Sequence, residues 1–306
     1  MRRLLDSLFD TLIVLFGVTT LVFLLLSLVP GDPVDVVLGE SAQAADREAM
    51  RAAMGLDRPL IDRWAAFYVD LARGDLGDSL VRRQPVSKLI AERLPATVVL
   101  TAAAFLLVLL IALPLGTLAA RYRDRWPDRL AQSFALIGLS IPNFWLGPLL
   151  VLLFSVGLGW TPVSGMQEPA SLLLPAITLG LSMAAITTRM VRGSLLEVES
   201  QPFMHTARCK GLSERTVMLR HALPNALPPV IIVLGLQLGG LLAGAVITEV
   251  VFAWPGIGTL LIDAIRQRDF PVVQGVVLLI AVTYVLTNRV ADQVAAWVDP
   301  RIRDAA

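Results

Sequence analysis

Few residues of this chain have the types or spacing that chemistry needs. A phosphate-cradling glycine loop ends in Gly-Lys-Ser/Thr. Here Ser87 precedes Lys88 and Cys209 precedes Lys210, so neither lysine closes such a loop. A serine hydrolase working inside a membrane needs a base beside its nucleophile, but the only histidines, His205 and His221, sit together in one charged stretch. A zinc site needs clustered His, Cys or carboxylate ligands; no apolar run has them, and no metal site is expected. The single cysteine, Cys209, excludes an intrachain disulfide and reads as a small space-filling residue in a loop. Glu249 stands alone in an apolar run. Intramembrane acids are functional candidates by default, but its place toward the outer end of that run favours a hydrated structural carboxylate. The chain is therefore expected to be no enzyme and to hold no cofactor, and any energy source must belong to a partner.

The elements that position these residues are read from composition. Of the 306 residues 56% are hydrophobic and only 17% are charged, with a mean hydropathy of +0.70. That points to membrane rather than to a large soluble core. The net charge of +1 suggests no nucleic-acid partner. A spanning helix needs about 20 predominantly apolar residues. Uncharged runs place spans at 9–30, 97–120, 133–158, 171–190, 229–252 and 272–294, giving an all-α integral membrane protein with six transmembrane helices. Arg2 and Arg3 precede the first run, which is longer than a leader's apolar region and lacks a small-x-small cleavage site, so it is kept as a span.

Orientation follows from basic residues in short loops. With residues 1–8 in the cytoplasm, the inner side holds 15 basic residues and the short outer loops only Arg266 and Arg268. The long outer segment 31–96 carries nine basic and eleven acidic residues, but segments of that length cross largely regardless of charge. Both ends, including the tail 295–306, are expected inside. The location expected is thus a bacterial inner membrane, in contact with lipid.

Two polar regions interrupt the spans. In the outer segment, Asp46 to Arg51 begins a helix that Gly55 would end. Pro59 to Ala72 follows, with Leu60, Trp64, Phe67, Tyr68 and Leu71 on one face: an amphipathic helix, either a docking surface for an external partner or a lid packed on the bundle. The inner stretch 191–228 is charged but helix-friendly, with short helices near Phe203–Lys210 and Ser213–Ala222. Gly211 would close the first and Ser213 would cap the second. A short helix here fits as a knob in a cleft of a partner, with Ala207 and Gly211 small enough for close backbone approach; the plainer reading is a basic loop on anionic lipid.

The residues His205, Thr206, Ala207, Arg208, Lys210, Gly211 and Leu212, followed by Leu223 and Pro224, resemble the cytoplasmic coupling loop of ABC importer permeases. That pattern is a Glu-Ala-Ala triplet, a Gly four residues beyond its last Ala, and a Leu-Pro-type element. Ala207, Gly211, Leu223 and Pro224 match, whereas His205 and Thr206 depart from the first two triplet positions. The Thr-Ala-Arg-x-Lys-Gly form is similar to the dipeptide, oligopeptide and nickel branch, where Arg usually stands in place of Pro224. The resemblance runs nearly end to end: Leu28 to Pro33, Gly55 to Asp57, Gly74 to Gly77, Glu92 to Thr97, Ser140 to Gly147, Val251 to Gly258 and Asp299 to Arg303. It implies a type I ABC importer permease, the first of two homologous permeases. The implied partners are two ABC ATPase subunits, which bind the ATP and Mg, and a periplasmic or lipoprotein substrate-binding protein. The cargo implied is a di- or oligopeptide; nickel, a metal chelate or glutathione is the alternative in the same architecture. A stand-alone ion-coupled transporter would carry charges deep in several spans, and here they are nearly absent.

A candidate path follows from breaks and small residues. Pro114, Pro142 and Pro148 interrupt spans, freeing carbonyls that line a cavity or find new partners; Asn143 lies beside one break. Gly235/Gly239 and Gly240/Gly244 are overlapping Gly-x-x-x-Gly pairs that permit close helix crossing, either with the partner permease or within the bundle. Gln237 and Asn288 are candidates to touch a peptide backbone, and Trp254 reads as an interface anchor.

Overall fold

The computed structural model describes residues 2–28, 34, 38, 43–53 and 55–298. The matched stretches at 29–33 and 299–303 lie outside the described residues, and of Arg2, Arg3 and Gly244 only the helical backbone is described. The chain is helical: α1 (Arg2–Leu28), α2 (Ala44–Ala53), α3 (Leu60–Ala72), α4 (Val86–Arg121), α5 (Trp126–Ser140), α6 (Asn143–Leu150), α7 (Leu173–Glu199), α8 (Pro202–Cys209), α9 (Glu214–Thr216), α10 (Leu223–Val251), α11 (Ile257–Arg266) and α12 (Phe270–Val298). Among the described residues five helices are long and apolar enough to cross a membrane, and a sixth span is broken, with α5 and α6 meeting at 104°. The span read as one run over 133–158 is therefore bent. Pro142 forces the residue before it out of the helical region, and Ile141 is extended at φ −94, ψ 116.

The described residues fall into two packed units, 1–97 with 255–283 and 98–254 with 284–306, so α4 and α12 each contribute to both. The first unit has an apolar core of Val86, Leu89 and Ile90 from α4, Ile257, Leu260 and Ala264 from α11, and Val272, Val273 and Val276 from α12. Helix α4 begins eleven residues before the expected start of its span, because its first turns carry charge outside and core inside. Thr97 accepts the Ile257 N–H at 2.8 Å, satisfying one of the orphan donors at the start of α11. Asp269, buried between loops, takes the Ser79 hydroxyl and the Leu80 N–H at 3.1 Å.

Helix α2 ends as its glycine predicts. Gly55 sits at φ +65, and the Leu56 N–H reaches Arg51 O while the Gly55 N–H reaches Ala52 O, the paired bonds of a Schellman cap. Helix α3 turns its aromatic face onto α1. Trp64 and Tyr68 lie 5.8 and 5.1 Å from the Phe16 ring. Tyr68 donates to Phe16 O at 3.0 Å, and its hydroxyl lies 2.8 Å from that of Thr20. Of the two readings of this helix, the aromatic face belongs to the lid.

In the second unit α7 is the most enclosed of the long helices. Neighbours reach it through glycines. A Cβ at Gly116 of α4 would stand 2.7 Å from Val191, one at Gly138 of α5 3.0 Å from Ala185, and one at Gly180 of α7 3.0 Å from the Ala104 carbonyl. Next to Val191, Arg192 grips Asp128 of α5 with two bonds of 2.6 Å, and Ser194 donates to Ala226 O of α10 at 2.8 Å.

Candidate functional site

The loop between α7 and α10 is shorter than the 191–228 read from sequence, because both long helices extend into it. Helix α7 continues to Glu199. Helix α10 starts at Leu223 and carries Pro224, Pro228 and Pro229 inside its first two turns. Pro224 has no N–H, and its ring presses on the carbonyl four residues back. A six-residue π turn over Val217–Ala222 opens the backbone there, a known way to accommodate a break. Pro228 and Pro229 leave the carbonyls of Pro224 and Asn225, both on exposed residues where water can satisfy them. The second short helix expected near 213–222 is therefore a single turn, α9, that runs through the π turn into α10.

Helix α8 is set by its ends. Pro202 occupies its first turn, where the missing N–H costs nothing. Gly211 follows at φ +75 with no atom within 4 Å of a built Cβ, so the position demands glycine for its backbone and not for space. Ser213 caps α9 by accepting the Thr216 N–H at 3.3 Å. Met204 and Ala207 face inward and are buried. His205, Thr206, Arg208, Lys210 and Gly211 are exposed, and Arg208 pairs with Glu214 at 3.0 Å. Leu212 is exposed, Leu223 half-buried and Pro224 exposed. The expectation that Ala207 admits an approaching partner is corrected: its small side chain lets α8 close on its own chain. Two exposed apolar residues join the loop surface unforeseen, Phe203 and Leu219. In sequence an apolar residue among arginines reads as buried, so only their neighbours' packing reveals them.

The candidate path residues are brought together only in part. Pro142 is exposed and Asn143 half-buried at the break between α5 and α6. Gly235 and Gly239 lie against α12: a Cβ at Gly235 would collide with Ala291, and one at Gly239 would stand 3.1 Å from Asn288 Oδ1 and 3.2 Å from Tyr284. That pair thus serves packing within the chain, while Gly240 faces open space. Gln237 accepts from Thr187 at 3.0 Å. Its Nε2 is buried without a partner, as is Asn288 Oδ1. Glu249 is fully buried, which overturns the hydrated carboxylate. Trp254 is 1% exposed and so is no interface anchor; its N–H bonds Glu249 O at 2.8 Å, folding the end of α10 back on itself.

The loop thus presents a short helix, α8, between two long helices, held to its own chain by the buried Met204 and Ala207. Comparison with known proteins identifies the family. Residues 112–304 match the family model described as binding-protein-dependent transport system inner membrane component, and residues 1–101 match the N-terminal model of such components. The glutathione transport system permease protein GsiC of Escherichia coli O6:H1 (strain CFT073) is 43% identical over 289 residues, 94% of each chain. The protein of that name from Salmonella paratyphi A is 42% identical over 303 residues, 99% of this chain and 98% of that one. The inward-facing structure of the MetNI methionine ABC transporter shares the fold at a TM-score of 0.60 and 21% identity, over 69% of this chain and 96% of its own. This chain belongs to the family of binding-protein-dependent transport system inner membrane components, the multi-pass permease subunits of ABC importers.

Proposed function

We propose that this permease conducts short peptides inward across the bacterial inner membrane, with glutathione-like tripeptides the favoured class. The relatives named for glutathione transport, alike over nearly the whole chain, support the cargo. In this reading a second, homologous permease completes the path, two ATPase subunits bind ATP and Mg and grip α8 of each permease, and an external binding protein delivers cargo to the side bearing 31–96. Both termini lie in the cytoplasm. ATP binding favours one arrangement of the permease pair by its differential affinity for it, and hydrolysis releases it.

The observation that carries this reading is the presentation of α8. His205, Thr206, Arg208 and Lys210 face solvent while Met204 and Ala207 hold the helix to its own chain. The path residues proposed are Pro142, Asn143, Gln237, Gly240, Gly244 and Glu249, with Gly239 shaping the crossing beside them. Replacing Thr206, exposed on α8, with Trp adds bulk to the outward face of that helix without straining its backbone. The importer should then lose its ATPase subunits on co-purification while the permease stays folded. ATPases that remain bound, with transport intact, would overturn the coupling assignment.

A further inference from the structure

Helix α3 has two occupied faces. Trp64 and Tyr68 rest on α1, while Arg63, Ala66, Phe67 and Asp70, spaced three and four apart, line a cleft of about 410 Å³. Its floor is apolar, with Phe23, Leu56, Leu76 and Phe270 among the lining residues. Its polar groups are of both signs: Arg58 and Arg63, Asp70 and Asp75, and the amide of Gln274. Arg58, Arg63 and Asp70 have no ion-pair partner among the described residues. Two guanidinium groups and a carboxylate are thus left in one cleft without neutralising one another.

The spacing selects a ligand. Asp70 lies seven positions beyond Arg63 on the helix, a rise of about 10 Å at ~1.5 Å per residue. Three residues of extended peptide also reach about 10 Å. We propose that this cleft binds a free-ended tripeptide, with its carboxylate at Arg63 and Arg58, its ammonium at Asp70 and Asp75, and its side chains on the apolar floor. Charge-assisted hydrogen bonds at both ends fix its length, and the floor accepts varied side chains. A phosphatidylethanolamine headgroup also joins an ammonium to an anion, but two carbons separate them, and it does not bridge a gap of ~10 Å. This assignment rests on the peptide reading and gives the permease a receiving site of its own on the 31–96 segment.

The test uses the assembled permeases and ATPases in phosphatidylcholine nanodiscs, without the external binding protein, titrated with trialanine under saturation-transfer NMR. Wild type should give a saturable signal. The Arg63→Gln/Asp70→Asn variant, which must still co-purify with the ATPases, should weaken binding by about tenfold or more. N-acetyl-trialanine amide should bind wild type no better than trialanine binds the variant. Equal binding by wild type and variant, equal binding of the blocked peptide, or no signal from wild type overturns the proposal. Displacement of trialanine by added phosphatidylethanolamine overturns it in favour of lipid. Uptake by the complete importer is scored separately. Peptide uptake by wild type with unchanged binding in the variant sinks the cleft alone. Failure to take up any peptide sinks the cargo reading.

Discussion

Removing Asp128 should cost the permease about 3 kcal/mol or more of stability. The side chain is 4% exposed, and both its oxygens hold Arg192, which is 21% exposed, at 2.6 Å. With its amide turned to satisfy its neighbours, Gln132 places its oxygen 2.9 Å from Arg192 Nε, so the guanidinium is bound on two sides. Breaking a buried pair from one side costs about 3–5 kcal/mol, because the charge left behind is stranded. The remaining exposure of Arg192 places Asp128→Ala at the low end, about 3 kcal/mol. The Asp124 N–H, which bonds Asp128 at 2.9 Å, also loses its acceptor, for about 1 kcal/mol more. Arg192→Met should cost a similar amount by stranding the carboxylate. The double variant Asp128→Ala/Arg192→Met strands neither charge, and apolar replacement of a whole buried pair is often near neutral. It should therefore be no less stable than either single, a coupling of at least about 3 kcal/mol. Reversible unfolding of the permease in mixed micelles measures all three. Additive costs, within about 0.5 kcal/mol, or a single-variant cost below about 1 kcal/mol, would refute the view that this contact joins α5 to α7.

The glycines of α10 should divide by face: Gly235→Leu should lower the thermal midpoint, since overpacking costs about 1–3 kcal/mol, while Gly240→Leu, with nothing within 4 Å, should leave it unchanged. Asp269→Ala should cost about 2–4 kcal/mol by orphaning the Ser79 hydroxyl and the Leu80 N–H; hydrogen exchange should quicken at the Leu80 amide before it quickens in α4. Trp254→Ala should destabilise by about 3–5 kcal/mol, the cost of emptying a buried aromatic site; a change within the range of surface substitutions would return Trp254 to the role of an anchor.

What sequence could show here depended on whether the signal was local. Uncharged runs locate the long helices because lipid demands them, and Gly211 and Ser213 act through their own backbone and hydroxyl. The start of α4 was hidden because Lys88, Glu92 and Arg93 put charge on one face of turns whose other face is Val86, Leu89 and Ile90; a search for uncharged runs cannot see an amphipathic extension. The prolines at 228 and 229 suggested that α10 had not yet begun, although exposed carbonyls tolerate them. Pro142 announced a break but not its 104° angle, which depends on what α6 packs against. Trp254 and Glu249 were misplaced because position along an apolar run says nothing of depth within the protein. The Ser79–Asp269 and Asp128–Arg192 contacts join residues 190 and 64 positions apart, and no pattern in either segment names its partner.

The glycines of the second unit also bear on how a push at α8 travels. Apolar burial gives no net attraction between helices already in lipid, so packing must come from close backbone approach and polar contacts. Gly116, Gly138 and Gly180 supply the first around α7, and Arg192 and Ser194 supply the second where α7 nears α8. Only Ser200 and Gln201 separate α7 from α8, and only Lys210 to Ser213 separate α8 from α9. A displacement of α8 is therefore handed to α7 through two residues, and α7 is held to α5 by a bidentate pair and to α10 by Ser194. Packed helices shift between discrete arrangements instead of bending. Under the coupling proposed above, α5, α7 and α10 should move as one body, with the extended residues at Ile141–Pro142 and the open π turn before α10 taking up the change.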